Sequence, residues 1–362
     1  MRRIHVLTAA FLFTTLCQAQ DTSKSRISGM VYVDYFYNMN RDTALATLAD
    51  VANGGAKGFH GFQFRRIYFT YDRDLSPDFM FRFRLEADGS TAAPNGKLTT
   101  FLKDAFLRWK NVVPGSELYV GLQPTPAFEI SESAWGYRSL EKTIMDLRGT
   151  VAPRDIGISI RSRFEKAGSL NYWFMFGNNS NSAAEMDKYK RLYGNFQWIM
   201  SSDFQVTAYG DYSMRSPVSN PNAPGSTMDN DVFVTGMFAG YGVVNDYMLG
   251  VEGFFQTTQN GLRKGSVAPF VLGTKYGLGV TVFAYAYVED NVSFVGRYDF
   301  FDPNIDQSVK GDLRHYMVFG LSWKPDQNVA VTPNVLVESY EQAASQTYVS
   351  SITGRVTFSV NY

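Results

Sequence analysis

Ile352-Thr353-Gly354-Arg355-Val356-Thr357-Phe358-Ser359-Val360-Asn361-Tyr362, the last eleven residues of the chain, decide the fold. Ile352, Gly354, Val356, Phe358, Val360 and Tyr362 share one face, and Thr353, Arg355, Thr357, Ser359 and Asn361 share the other. Successive side chains of a strand point to opposite faces, so this is one strand of a sheet with an apolar and a polar side. Working back, the pattern recurs. Val31, Val33, Tyr35 and Tyr37 alternate with Tyr32, Asp34 and Phe36, and Phe79, Phe81, Phe83 and Leu85 with Met80, Arg82, Arg84 and Glu86. Ile156, Ile158 and Ile160 alternate with Gly157, Ser159 and Arg161, and Leu170, Tyr172, Phe174 and Phe176 with Asn171, Trp173 and Met175.

Sixteen such segments are expected, near 27–38, 60–73, 78–88, 98–110, 116–125, 155–165, 169–178, 189–200, 204–214, 230–241, 246–258, 276–288, 291–302, 312–324, 328–340 and 347–362. The connections alternate strictly. Long ones (39–59, 89–97, 126–154, 179–188, 215–229, 259–275, 303–311 and 341–346) are interleaved with tight ones such as Asp74-Leu75-Ser76-Pro77, Val113-Pro114-Gly115 and Glu289-Asp290. An even strand count with all long loops at one end predicts an all-β fold: a transmembrane antiparallel up-and-down barrel with long extracellular loops and short periplasmic turns. The competing architecture is a secreted soluble jelly roll, in which the apolar face turns into a core between two packed sheets.

Composition agrees with a barrel. Past the N-terminus there is no run of 18 apolar residues, mean hydropathy is -0.19, and no helical span is expected. Lys plus Arg and Asp plus Glu both number 34, so no charge excess recruits nucleic acid. Arg2 and Arg3, the apolar stretch Ile4 to Leu16 and the Cys17-Gln18-Ala19 site read as a signal peptide over 1–19. That leaves 20–362 as one barrel domain. Cys17 is the sole cysteine, so the mature domain has no disulfide, thiolate metal site or thiol nucleophile.

Several motifs, each weak alone, occur in an order that resembles the phosphate-selective porin O and P family. They are Phe62-Gln63-Phe64-Arg65-Arg66, Asp104-Ala105-Phe106-Leu107, Val120-Gly121-Leu122-Gln123-Pro124-Thr125-Pro126, Tyr137-Arg138-Ser139-Leu140-Glu141-Lys142, Arg154-Asp155-Ile156-Gly157 and Gly296-Arg297-Tyr298-Asp299. The terminal Val356-x-Phe358-x-Val360-x-Tyr362 looks like the signal read by the outer-membrane assembly machinery. The resemblance implies a water-filled channel in a bacterial outer membrane. Its partners would be outer-membrane lipids, the assembly machinery, small hydrophilic solutes and two further copies as a homotrimer. One departure stands out: the lysine-rich lumen patch of phosphate-selective members has no counterpart here.

The 126–154 connection is expected to carry one helix, with Ser139 as cap, turns over Leu140 to Leu147, and Gly149 at the C-terminal stop. So long a loop with its own helix is usually functional. It either folds into the lumen as a constriction, bringing Glu129, Arg138, Glu141, Lys142, Asp146 and Arg148 with it, or lies on the rim. Strand parity turns Arg66, Arg82, Arg84, Arg108, Arg161, Arg163, Arg297, Arg314 and Arg355 inward. A ring of permanent guanidinium charges selects anions. Inward Asp34, Glu86, Asp104, Glu252, Asp299 and Glu338 offer the other outcome, a mixed-charge lattice without preference. Arg66, Arg82 and Arg84 should cluster with only Glu86 close in sequence, which leaves a positive wall. Among inward aromatics, parity marks Trp173 and Tyr209, too few for a sugar-stacking track.

Catalysis finds little support. His60 and His315 belong to no G-x-S-x-G or H-E-x-x-H arrangement, and the expectation is no enzyme, with an outer-membrane lipase as the competing class. Asp302-Pro303-Asn304-Ile305-Asp306 lacks the glycine and bidentate glutamate of a calcium loop. No cofactor and no metal are expected.

Overall fold

A computed structural model of the chain describes residues 24–42, 44, 55–89, 93, 95–164, 166–243, 246–343 and 347–362. The leader read over 1–19 lies outside the described residues. The elements run β1 (Ser25–Asn40), β2 (His60–Asp74), β3 (Phe79–Ala87), β4 (Phe101–Val113), β5 (Ser116–Pro124), α1 (Glu129–Trp135), α2 (Ile144–Leu147), β6 (Arg154–Ser162), β7 (Ser169–Gly177), β8 (Arg191–Ile199) and β9 (Phe204–Ser213). They continue with β10 (Val218–Ser219), β11 (Thr227–Met228), β12 (Val232–Val243), β13 (Tyr247–Lys264), β14 (Val271–Glu289), β15 (Val292–Asp302), β16 (Arg314–Asp326), β17 (Val329–Tyr340) and β18 (Ser351–Asn361).

Sixteen of these strands close into one antiparallel barrel, each paired with its neighbours in chain order, while β10 and β11 form a small hairpin within a loop. Closure joins the first strand to the last, with Val33 opposite Phe358 and Asp34 opposite Thr357. No backbone edge remains, which is what a sheet in lipid requires. The sequence-predicted strands all appear. The main difference is at β13 and β14, which run on to Lys264 and back from Val271, so the expected long loop 259–275 is mostly a hairpin.

The barrel is turned inside out relative to a soluble protein. Phe62, Met237, Phe294 and Phe319 are exposed on its exterior, whereas Asp34, Asp104 and Asp299 are fully buried within. An apolar exterior of this extent suits a hydrocarbon surround. Tyr35, Tyr37, Trp109, Trp198, Tyr298, Trp323 and Tyr362 are among the exposed large side chains, amphipathic rings that suit the headgroup level of a bilayer. No helix among the described residues is long and apolar enough to cross a membrane.

Candidate constriction and lumen wall

The chain from Thr125 to Pro153 leaves the upper end of β5 and returns to β6 after passing through the lumen. Trp135, Leu140 and Ile144 have no exposed surface. Trp135 meets Phe283 edge-on at 5.2 Å between ring centroids, and Tyr137 meets Tyr285 likewise at 5.2 Å. Inward Phe238, Met248, Val295, Tyr316, Val318 and Leu336 complete one apolar contact surface. Ile144 and Met145 pack on a second, with Tyr193, Tyr209, Val232, Val234 and Phe254. A lumen wall with this many apolar inward residues is explained by the loop that covers it. The expected helix is corrected here. Two short helices form in its place, and the second begins after Thr143, not after Ser139. Gly136 adopts φ 65°, the left-handed conformation that ends α1 and turns the chain back.

Polar contacts hold the turn between the helices. Arg65 donates to the carbonyls of Ser139 and Leu140, Arg355 donates to Leu140 at 2.5 Å, and Arg297 donates to Lys142. Arg148 forms an ion pair with Glu338 of β17 at 2.8 Å, both side chains 2% exposed. The Tyr316 hydroxyl donates to Glu141 at 3.0 Å, and Ser131 donates to Glu252 at 2.7 Å. Burial pushes the Glu141 carboxyl up. The charges of Arg65 and Arg355, the Lys142 amide and Arg297 outweigh it and hold that carboxyl below its usual range. Arg138 stays within the loop, bridging Glu132 at 2.5 Å and Asp146 at 2.8 Å, and lies within electrostatic reach of Tyr32 and Tyr68 on the facing wall. Glu129 is exposed at the start of α1.

The facing wall, β1 to β4 with β18 and β6, has a regular electrostatic pattern. Asp34 serves Arg65 at 2.7 Å and Arg355 at 3.9 Å, and Glu86 serves Arg66 at 3.0 Å and Lys103 at 2.7 Å. Asp104 serves Arg84 at 3.1 Å and also Arg154, and Asp72 serves Arg82 at 2.6 Å and Arg26 at 2.8 Å. Eight cations thus share four carboxylates, a surplus of four positive charges on the wall, one of them offset by the Glu141 carboxylate of the loop beside Arg65 and Arg355. The expectation that Arg66, Arg82 and Arg84 have one acid between them is corrected, since each has its own partner. The surplus comes from the second cation on each acid. Asp72, Thr70 and Tyr68 are two residues apart on β2, so successive rungs stand about 6.8 Å apart.

Two β-bulges supply cations that strict parity missed. Arg66 pairs with Tyr32 and Phe64 with Val33, so Arg65 is the extra residue and both arginines turn inward. Asp104 pairs with Arg84 and Leu102 with Leu85, which brings Lys103 inward beside Asp104. The sequence signal was available: adjacent charges at 65–66 and 103–104 inside alternating strands cannot both obey period two without placing one in lipid. The remaining predicted arginines are spread around the ring. Arg108 pairs with Glu117, Arg297 with Asp299, and Arg314 opens β16 opposite Tyr340. Arg161 lies over Tyr119 at 4.0 Å and Trp173 at 4.7 Å. Arg163 falls one residue past β6 and is exposed.

The loop leaves cavities at both ends of the lumen. One of about 570 Å³ lies toward the long loops, bordered by Arg154, Arg191, Arg215, Asp146 and Asp187. Another of about 370 Å³ lies on the tight-turn side of α1. The expectation of only two inward aromatics is also corrected, because Tyr32, Phe36, Tyr68, Phe106 and Tyr119 are buried on the inward face as well.

No family model and no curated protein matches the chain. Solved structures do. The anion-selective porin from Comamonas acidovorans superposes with a TM-score of 0.60 at 14% identity, over 94% of this chain and 100% of that one. The outer membrane channel DcaP of Acinetobacter baumannii gives 0.65 at 10% identity, over 95% and 99%. The trimer form of in-vitro folded OmpT, an outer membrane protein of Vibrio cholerae, gives 0.58 at 11% identity, over 94% and 100%. At such identities the likeness is one of fold: the same closed antiparallel barrel along nearly the whole length of the chain.

Proposed function

We propose that this chain, exported by its 1–19 leader, is an outer-membrane porin that passes small hydrophilic solutes by diffusion, with a modest preference for anions, inorganic phosphate among them. The observation that carries the reading is a basic wall facing a loop folded inside a closed barrel. The loop narrows the passage, and four carboxylates shared by eight cations give the opposite wall a positive field. Fixed charges within a Debye length of about 8 Å act together at physiological salt, and the roughly 6.8 Å rungs meet that condition. The lattice also stiffens the wall, but pairing of that kind needs only one cation per acid. The porin-type fold supports a homotrimer in the outer membrane, with lipids outside and the assembly machinery as transient partner. Arg66, Arg82, Arg84, Arg108, Arg161, Arg163, Arg297, Arg314 and Arg355 contribute to the field, with Arg65, Lys103 and Arg154 added. Arg297 and Arg355 act chiefly by holding the loop.

The test replaces Arg66, Arg82 and Arg84 together by Gln in the full-length protein. Lys103, Arg26 and Arg154 keep Glu86, Asp72 and Asp104 partnered, so the barrel assembles. The reversal potential in a salt gradient should move toward cations. An unmoved reversal potential would remove the wall from the selectivity mechanism.

A further inference from the structure

The cavity of about 370 Å³ on the tight-turn side of α1 differs chemically from the ion-paired wall. Its size is within the range of small-ligand sites. Three amides there form a directed chain. Asn171 donates to Gln197 at 3.1 Å, and Gln197 donates to Gln205 at 2.6 Å. The Phe164 amide donates to the Asn171 oxygen and the Phe164 carbonyl accepts from its NH2, which fixes the direction of the chain and commits the Gln205 carbonyl oxygen as acceptor, so the NH2 group of Gln205, a residue lining the cavity, is left as the terminal donor. Asn195 also borders the space, and its NH2 donates to the Pro126 carbonyl at 3.0 Å, which leaves its side-chain oxygen to accept.

Beside the amides, Arg161 is immobilised between the rings of Tyr119 at 4.0 Å and Trp173 at 4.7 Å. Its nearest carboxylate is Glu129, at 3.7 Å. That separation is beyond hydrogen-bond length, so guanidinium and carboxylate are near one another without satisfying one another. Such a pair offers donors and an acceptor side by side. Adjacent hydroxyl groups on one ring, each both donor and acceptor, complement it. Simple anions need donors only, and the Glu129 carboxylate on the same rim repels them.

We propose that this cavity is a binding site for a neutral saccharide of one or two rings, held by Arg161 and Glu129 on vicinal hydroxyls and by Gln205 and Asn195 on the others. Its place below the constriction makes it a station through which a permeating sugar passes. The inference extends the porin reading from small anions to a second solute class and rests on that reading only for its transport consequence.

The experiment uses the full-length protein in detergent and in planar bilayers, with maltose as probe. Equilibrium dialysis of labelled maltose should show saturable binding. Glu129→Ala and Gln205→Leu, both at the cavity rim and with the barrel checked by heat-modifiable gel migration, should each raise the half-saturation concentration about tenfold. In bilayers, maltose should reduce single-channel current in a saturating manner, whereas a polyethylene glycol of equal size should reduce it only in proportion to concentration. Non-saturable dialysis, or equal half-saturation in both variants and the parent, overturns the site. Saturable dialysis by a protein with no conductance in salt upholds the site and overturns the porin reading.

Discussion

Arg148 and Glu338 form the most buried ion pair between the loop and the barrel wall, at 2.8 Å with both side chains 2% exposed. Arg148 also lies over the rings of Phe301 and Tyr316 at 5.4 and 5.8 Å. Replacing Arg148 by Met keeps an unbranched apolar stem but leaves the buried Glu338 with the Tyr340 hydroxyl, at 3.2 Å, and the charge of Arg41 within electrostatic reach. Removing one member of a buried pair costs about 3–5 kcal/mol when the remaining charge is uncompensated, and the nearby Arg41 puts this case at the lower end, about 3 kcal/mol. At about 1.4 kcal/mol per factor of ten, that shifts the docked-to-released ratio of the loop by more than a hundredfold. The barrel itself keeps all its strand pairing, so the cost falls on the loop. Arg148→Met should therefore show larger and more frequent conductance steps in planar bilayers. The double variant Arg148→Met with Glu338→Leu removes both charges, and such replacements are often neutral in stability. It should return most of the parental conductance. If the single variant conducts like the parent, or the double behaves like the single, the pair does not hold the constriction.

Three further outcomes follow from the same geometry. Phe358→Arg places a charge on the apolar exterior of β18, at a cost of about 2–4 kcal/mol near the midplane; folded yield should drop, while Asn361→Arg, on the inward face at the rim, should assemble normally, and equal yields would contradict the facing of β18. Deleting Ser131–Leu147 should raise single-channel conductance with the barrel still heat-modifiable; unchanged conductance would mean that the loop does not narrow the passage. The depressed Glu141 carboxyl contributes stability that is present above its unfolded value, about 4.3, and is lost as pH falls through its lower folded value; step size should stay constant from pH 7 to about pH 5 and rise only in stronger acid, and a rise near neutrality would exclude Glu141 as the group responsible.

The fold was legible because two local signals agree. Period two in segments such as 352–362 gives strands with unlike faces, and the alternation of tight and long connections places one end of every hairpin on the same side. The wall was only partly legible. Parity locates Arg66, Arg82 and Arg84 but assumes an unbroken period, and the bulges at Arg65 and Lys103 break it. Arg154 was missed for another reason: it follows the loop, where no alternation exists to assign a face. Inward Phe238, Val295 and Leu336 look misplaced in a polar lumen until the loop is known to cover them. The two short helices depend on that packing, since segments of seven and four residues cannot stand alone.

The reversal potential of the unmodified protein in a potassium chloride gradient reads the sign of the field in the passage. A basic wall opposite an inserted loop predicts the sign for chloride moving more readily than potassium. The opposite sign, with potassium preferred, would mean that Glu129, Glu132 and Asp146 on the loop dominate the passage, and the account of the wall would be wrong.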